Sequence, residues 1–134
     1  MFYKILVIVF LFQLIFGYNA NAQKEEVAKV NSCLNLLARY SDYWKKDSVG
    51  KNGVREIIGY EFLNKCNFIG EKWVNLIEYL GTPNHKFRIE NTNVYRYRLN
   101  YYSDDMKDSG TMLLDIDVNK VGIITDFSIW EVDG

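Results

Sequence analysis

The chain of 134 residues carries 16 Lys and Arg against 17 Asp and Glu, a net charge of −1, and its one proline and nine glycines form no linker. So even a balance excludes the basic footprint of a nucleic-acid binder and leaves no long-range field to steer a charged ligand. A hydrophobic share of 49 % with 16 % aromatic residues supplies one packed core, and a second domain is not expected.

Residues 1–22 read as a secretory leader. Lys4 precedes a twelve-residue apolar run from Ile5 to Phe16, and Ala20-Asn21-Ala22 supplies a small-x-small cleavage site. The run is too short to span a bilayer comfortably, and no cysteine directly follows the site, so neither a membrane span nor a lipid anchor is expected. Residues 23–134 then form a single exported domain, periplasmic or secreted, and the loss of Lys4 takes its net charge to −2.

The first helix of that domain is expected over residues 24–46, with Val27, Val30, Leu34, Leu37 and Trp44 on one face. Turn chemistry begins at Asp47 and includes Ser48, Gly50 and Gly53. The stretch from Trp44 to Arg55 reads as a helix-to-helix connector in which Asp47 or Ser48 caps and Arg55 pairs locally. A functional turn is the other reading of the same residues. A second helix follows over 54–65, with Val54, Ile58, Phe62 and Cys66 stacked at fours. Gly59 costs that helix about 1 kcal/mol relative to alanine, which points to close packing against a neighbour or to a weak helix. Cys33 and Cys66 both fall on apolar stripes. In an oxidising compartment they can form a bridge, and the alternative is a pair of buried free thiols. No further ligands accompany them, so no metal site is expected.

Residues 68–83 carry the third helix. Glu71 falls in its first turn, Trp73, Val74, Ile77 and Leu80 make its apolar side, Gly81 fits a left-handed cap, and Pro83 forbids continuation. The repeat then changes from helical to alternating. Strands are expected over 86–90, 94–102, 111–118 and 121–132, separated by short turns and by a polar loop at 103–110. Tyr95, Tyr97, Leu99 and Tyr101 alternate with Arg96, Arg98 and Asn100. Met112, Leu114 and Ile116 alternate with Asp115 and Asp117. In the last strand Ile123, Phe127 and Ile129 face inward, and Asp126, Ser128 and Trp130 outward. The fold class is α+β, a two-layer sandwich with N-terminal helices packed on one face of a three- to four-stranded antiparallel meander.

The succession Phe68-Ile69-Gly70, Val74, Tyr79-Leu80-Gly81-Thr82-Pro83 and Tyr95-Arg96-Tyr97 resembles the SmpA/OmlA type of small envelope domain over residues 54–132. That family includes the small lipoprotein subunit of the outer-membrane β-barrel assembly machine, and its fold is similar to one repeat of the β-lactamase inhibitor protein. The resemblance implies this fold and an activity of binding rather than catalysis. The chain departs from the family in lacking a lipid-attachment cysteine and in adding an N-terminal helix.

Catalytic groups are sparse. His85, the lone histidine, follows Asn84 in a loop and reads as a solvated turn residue rather than a base. Asp115, Asp117, Asn119 and Asp126 have calcium-loop spacing, but Lys120 stands where the sharp turn needs glycine. No catalytic residue, metal or cofactor is expected. The candidate partner-binding residues are Arg96, Arg98, Asn100 and Trp130, on the outer sheet face and of types that include interface hot spots. These readings lead to a non-catalytic exported protein-interaction module, with a protein partner and no nucleic acid. The alternative is a secreted inhibitor or immunity-type protein that binds an enzyme.

Overall fold

The computed structural model describes residues 2–61, 63–102, 107 and 109–133, without the side chains of 2–15 and 18. Three helices, α1 (Phe2–Lys46), α2 (Val54–Glu61) and α3 (Trp73–Leu80), precede four strands, β1 (His85–Ile89), β2 (Thr92–Arg98), β3 (Met112–Val118) and β4 (Ile124–Glu131). A short 3-10 turn, Leu63–Lys65, follows α2. The chain divides into two units, residues 1–32 and 33–134.

Helix α1 begins at Phe2 rather than near residue 24, because no proline lies before Pro83 and Gly17 alone does not break a helix. The side chains of the apolar run at 5–15 lie outside the described residues. Val27 is exposed, so the apolar stripe that matters begins further along. Among the described residues no helix is long and apolar enough to cross a membrane.

In the unit 33–134, Cys33, Leu34, Leu37, Tyr40 and Trp44 of α1 recur on one helical face and enter the core. Ser41 lies on the same stripe, and its hydroxyl donates to the Tyr79 carbonyl at 2.7 Å. The Trp44 indole donates to the Leu80 carbonyl at 3.0 Å, and the Tyr97 hydroxyl to the Gly81 carbonyl at 2.7 Å. Carbonyls at a helix C-terminus have no partner within the helix. Here α1 and β2 supply partners from outside, which fastens α3 between them. The Cys33–Cys66 disulfide joins α1 to the segment after α2 across 33 positions of sequence.

Helix α3 starts two residues later than Glu71, which leaves no acidic group in its first turn. Residues 70–73 instead run beside the segment before β4. Gly70 N–H donates to Ile124 O at 2.8 Å, Ile124 N–H to Glu71 O at 2.9 Å, and Trp73 N–H to Gly122 O at 2.9 Å. This anchoring sets the rotation of the helix, so that Trp73, Leu76 and Leu80 are buried while Val74 is 65 % exposed. Gly81 closes the helix with φ 66° and ψ −159°, a positive φ as expected but not the left-handed helical conformation.

The strands pair in chain order as an antiparallel meander, β1-β2-β3-β4. Tyr97, Leu114, Ile116 and Val118 line the face covered by the helices, where Trp44 meets Tyr97, Phe68 meets Phe127, and Trp73 stacks on Tyr95 with ring centroids 4.4 Å apart. Strand β4 departs from simple alternation. Asp117 pairs with Asp126 but Val118 pairs with Ile124, so Thr125 is an extra residue, and Ile124 takes the buried place expected of Ile123. Gly59 faces Leu99, whose nearest methyl would lie 3.0 Å from an added Cβ, so the glycine marks close helix-to-sheet packing. Phe62 and residues 103–106 and 108 of the expected polar loop lie outside the described residues.

Gly50 has φ +76°, and a Cβ there would lie 2.8 Å from the Asn100 backbone, whereas Gly53, at φ +72°, has open space around it. Gly50→Ala is therefore expected to lower unfolding free energy by about 2–4 kcal/mol, and Gly53→Ala by about 1 kcal/mol, in urea denaturation. Equal costs at the two positions would refute the close approach. Replacing Cys33 and Cys66 together by alanine is expected to cost about 3–4 kcal/mol by chain entropy, read as a lower urea midpoint than the oxidised wild type.

Candidate functional site

The sheet face away from the helices is laid out by strand register. One row runs Phe87, Val94, Asp117, Asp126 across β1 to β4, and the next runs His85, Arg96, Asp115 and Ser128. A third places Arg98, Leu113 and Trp130 side by side on β2, β3 and β4. The alternating repeat thus assembles on one surface residues that lie far apart in sequence.

Arg96 is at the centre. Its Nε and Nη2 donate to Asp115 Oδ1 and Oδ2, each at 2.7 Å, the bidentate geometry that a planar guanidinium makes with a carboxylate. This bond to Asp115 raises the pKa of Arg96 above its ordinary value against the opposing effect of burial. The Trp130 indole donates to the same carboxylate at 3.0 Å. The guanidinium carbon lies 4.9 Å from the Phe87 ring centroid and 5.0 Å from that of Trp130, so the cation sits between two π faces. Trp130 is 38 % exposed, while Val94 and Leu113 of the same face are buried. The result is a fixed, partly open platform in which the guanidinium is stacked between two rings.

Two residues expected on this open surface are not part of it. Arg98 is 4 % and Asn100 is 9 % exposed. Asn100 continues the β2–β3 pairing beyond the strand end, since its Oδ1 accepts from Met112 N–H at 2.8 Å and its Nδ2 donates to Gly110 O at 3.2 Å. The turn around Gly50 packs directly on its backbone. The backbone N–H of Arg98 donates to Asn84 Oδ1 at 2.7 Å, and its guanidinium lies 5.9 Å from the Tyr101 ring.

The turn from Trp44 to Arg55 is a structural joint. Asp47 receives Asn52 N–H at 2.9 Å and Arg55 N–H at 3.0 Å through its two oxygens. Arg55 itself is 1 % exposed and reaches well beyond its neighbours. Its Nε donates to Trp44 O at 2.9 Å, and one Nη to Ser48 O and Asn84 Oδ1, both at 3.0 Å. The guanidinium also lies over the Trp44 ring at 4.8 Å. Burial lowers its pKa to about 10, against the opposing charge of Asp47.

A cleft of about 480 Å³ opens at one end of the sheet, lined among others by Lys51, Glu56, Tyr60, Tyr101, Tyr102 and Glu131. Lys51 lies over the Tyr101 ring at 4.3 Å. Sequence reasoning missed this cleft because its walls come from four separate segments. His85 opens β1 rather than sitting in a loop, and it is exposed beside the Arg96 position. Among the described residues no three His, Cys, Asp or Glu side chains come together to hold a metal ion.

No family model, no curated protein and no solved structure matches the chain.

Lysine at position 55 would keep a charge but lose the planar fork that serves four acceptors, the Trp44, Ser48 and Arg98 carbonyls and Asn84 Oδ1. Arg55→Lys is expected to lower stability by about 2–4 kcal/mol in urea denaturation, and an unchanged midpoint would refute the joint.

Proposed function

We propose that the protein is an exported, non-catalytic interaction module of the cell envelope, periplasmic or secreted, whose partner is a protein docked on the outer face of the sheet. The observation that carries this reading is the Arg96 platform. Asp115 holds Arg96 and Trp130 together, Phe87 lies against the guanidinium, and the three remain partly open to solvent. Tryptophan and arginine dominate interface energetics, and side chains already ordered in the free protein lose little entropy on binding.

Three further features support the setting. The leader-like residues 1–22 indicate export, and the disulfide suits an oxidising compartment. The resemblance to SmpA/OmlA-type domains favours binding over catalysis. Arg98 and Asn100 act in this reading as supports, which fix the end of β2 beneath the turn at 47–53.

A photoreactive phenylalanine analogue placed at position 130 tests the surface in living cells, with Ile57, an exposed residue of α2, as the control position. A discrete protein adduct is expected from position 130 and none from position 57. Trp130→Ala is expected to weaken capture of the adducted protein by about tenfold and to change Tm by only a few degrees, since the lost cation–π contact is worth about 1 kcal/mol. Adducts from both positions alike, or from neither, would remove the sheet face as the docking surface.

A further inference from the structure

Beside the Arg96 platform the same face carries two carboxylates that form no ion pair among the described residues. Asp117 on β3 stands directly opposite Asp126 on β4. Among the described residues neither carboxylate accepts a hydrogen bond or meets a Lys or Arg, and the ion pairs there are Lys65–Glu61 and Arg96–Asp115. Like charges directly opposite one another weaken a sheet. Burial, and then the charges of Asp126 and Asp115, raise the Asp117 pKa above its ordinary value. The fold makes no use of the pair: Asp115, two residues away, already has its cation.

We infer that the outer face takes a protein segment carrying lysine or arginine, whose cation lies between Asp117 and Asp126 while its apolar neighbours cover Phe87 and Trp130. This rests on the docking reading above and adds the chemistry of the partner. Phe87 shares a row with the acidic pair, two strands from Asp117, and Trp130 lies four residues from Asp126 along β4. At usual sheet spacings those rings are about 10–13 Å from the carboxylates, within the span of four residues of an extended chain. A metal ion is a poor occupant, because no third His, Cys, Asp or Glu side chain joins the two carboxylates among the described residues. A second copy meeting this one face to face is also a poor occupant. The Lys or Arg side chains that alternate onto its own outer face are Arg96, bound to Asp115, and Arg98, which is buried.

The test uses the full chain and two synthetic peptides, one alternating lysine with tyrosine and one alternating glutamate with tyrosine, titrated calorimetrically at low and high salt. The lysine peptide is expected to bind and to weaken with salt, while the glutamate peptide does not bind. Asp117→Asn with Asp126→Asn is expected to reduce that binding by about tenfold and to leave Tm at or above the wild-type value, because a repulsion has been removed. Trp130→Ala is expected to reduce it as well. If Trp130→Ala weakens binding and the double asparagine variant does not, the acidic pair is not the cation site, and the docking reading stands without it. If the lysine peptide does not bind the wild type, the inference falls and the docking reading is decided by the adducts at positions 130 and 57; if it binds and neither variant matters, both readings fall. A lower Tm in the double asparagine variant would mark the carboxylates as structural and overturn the inference.

Discussion

The structure depends on one buried cation. The Arg55 guanidinium reaches the end of α1 through the Trp44 carbonyl, the following turn through Ser48, and the α3–β1 loop through Asn84. Asn84 in turn receives the Arg98 backbone N–H at the end of β2. A charge so placed is costly to desolvate, and it is tolerable because carbonyl oxygens, the Asp47 charge and the Trp44 ring surround it. Four segments therefore take their relative positions from one side chain, and the hydrophobic layer closes around that arrangement.

This joint bears on the far side of the sheet. Strand β2 is held at its end by Asn84, Asn100 and the turn around Gly50, and along its length by pairing with β1 and β3. Arg96 projects from that fixed strand, and Asp115 from its neighbour β3. Exposed ion pairs usually add little to stability, and bidentate geometry such as that of Arg96 and Asp115 is the exception. The pair also has a geometric effect, since it keeps the guanidinium plane between Phe87 and Trp130. A side chain already ordered in this way has little conformational entropy left to lose.

Much of this was legible in the residues and some was not, for identifiable reasons. The two-residue repeat placed Arg96 and Trp130 on one face, and the end of the first helix near Asp47 followed from turn chemistry. Whether a face is covered is a different matter. Arg98 and Asn100 alternate outward like Arg96, but a turn from some fifty residues earlier lies over Asn100, and no local pattern encodes that approach. Arg55 read as a local partner for its own turn, whereas two of its acceptors, Asn84 and the Arg98 carbonyl, belong to other parts of the chain. The inserted Thr125 moved the buried isoleucine by one position, because a bulge changes phase without changing composition. Val74 was misplaced because the start of α3 is set by pairing with residues 122–124, which lie fifty positions downstream.

The bulge at Thr125 has an effect on the company this molecule can keep. A meander leaves two rims of unsatisfied backbone, and such rims recruit strands from other chains. On one side the kink in β4 spoils the straight ladder that an incoming strand would need. On the other, β1 is only five residues long and carries Lys86 and Arg88. Both rims are thereby blunted against fibrous stacking, and edge-to-edge pairing of two copies is disfavoured.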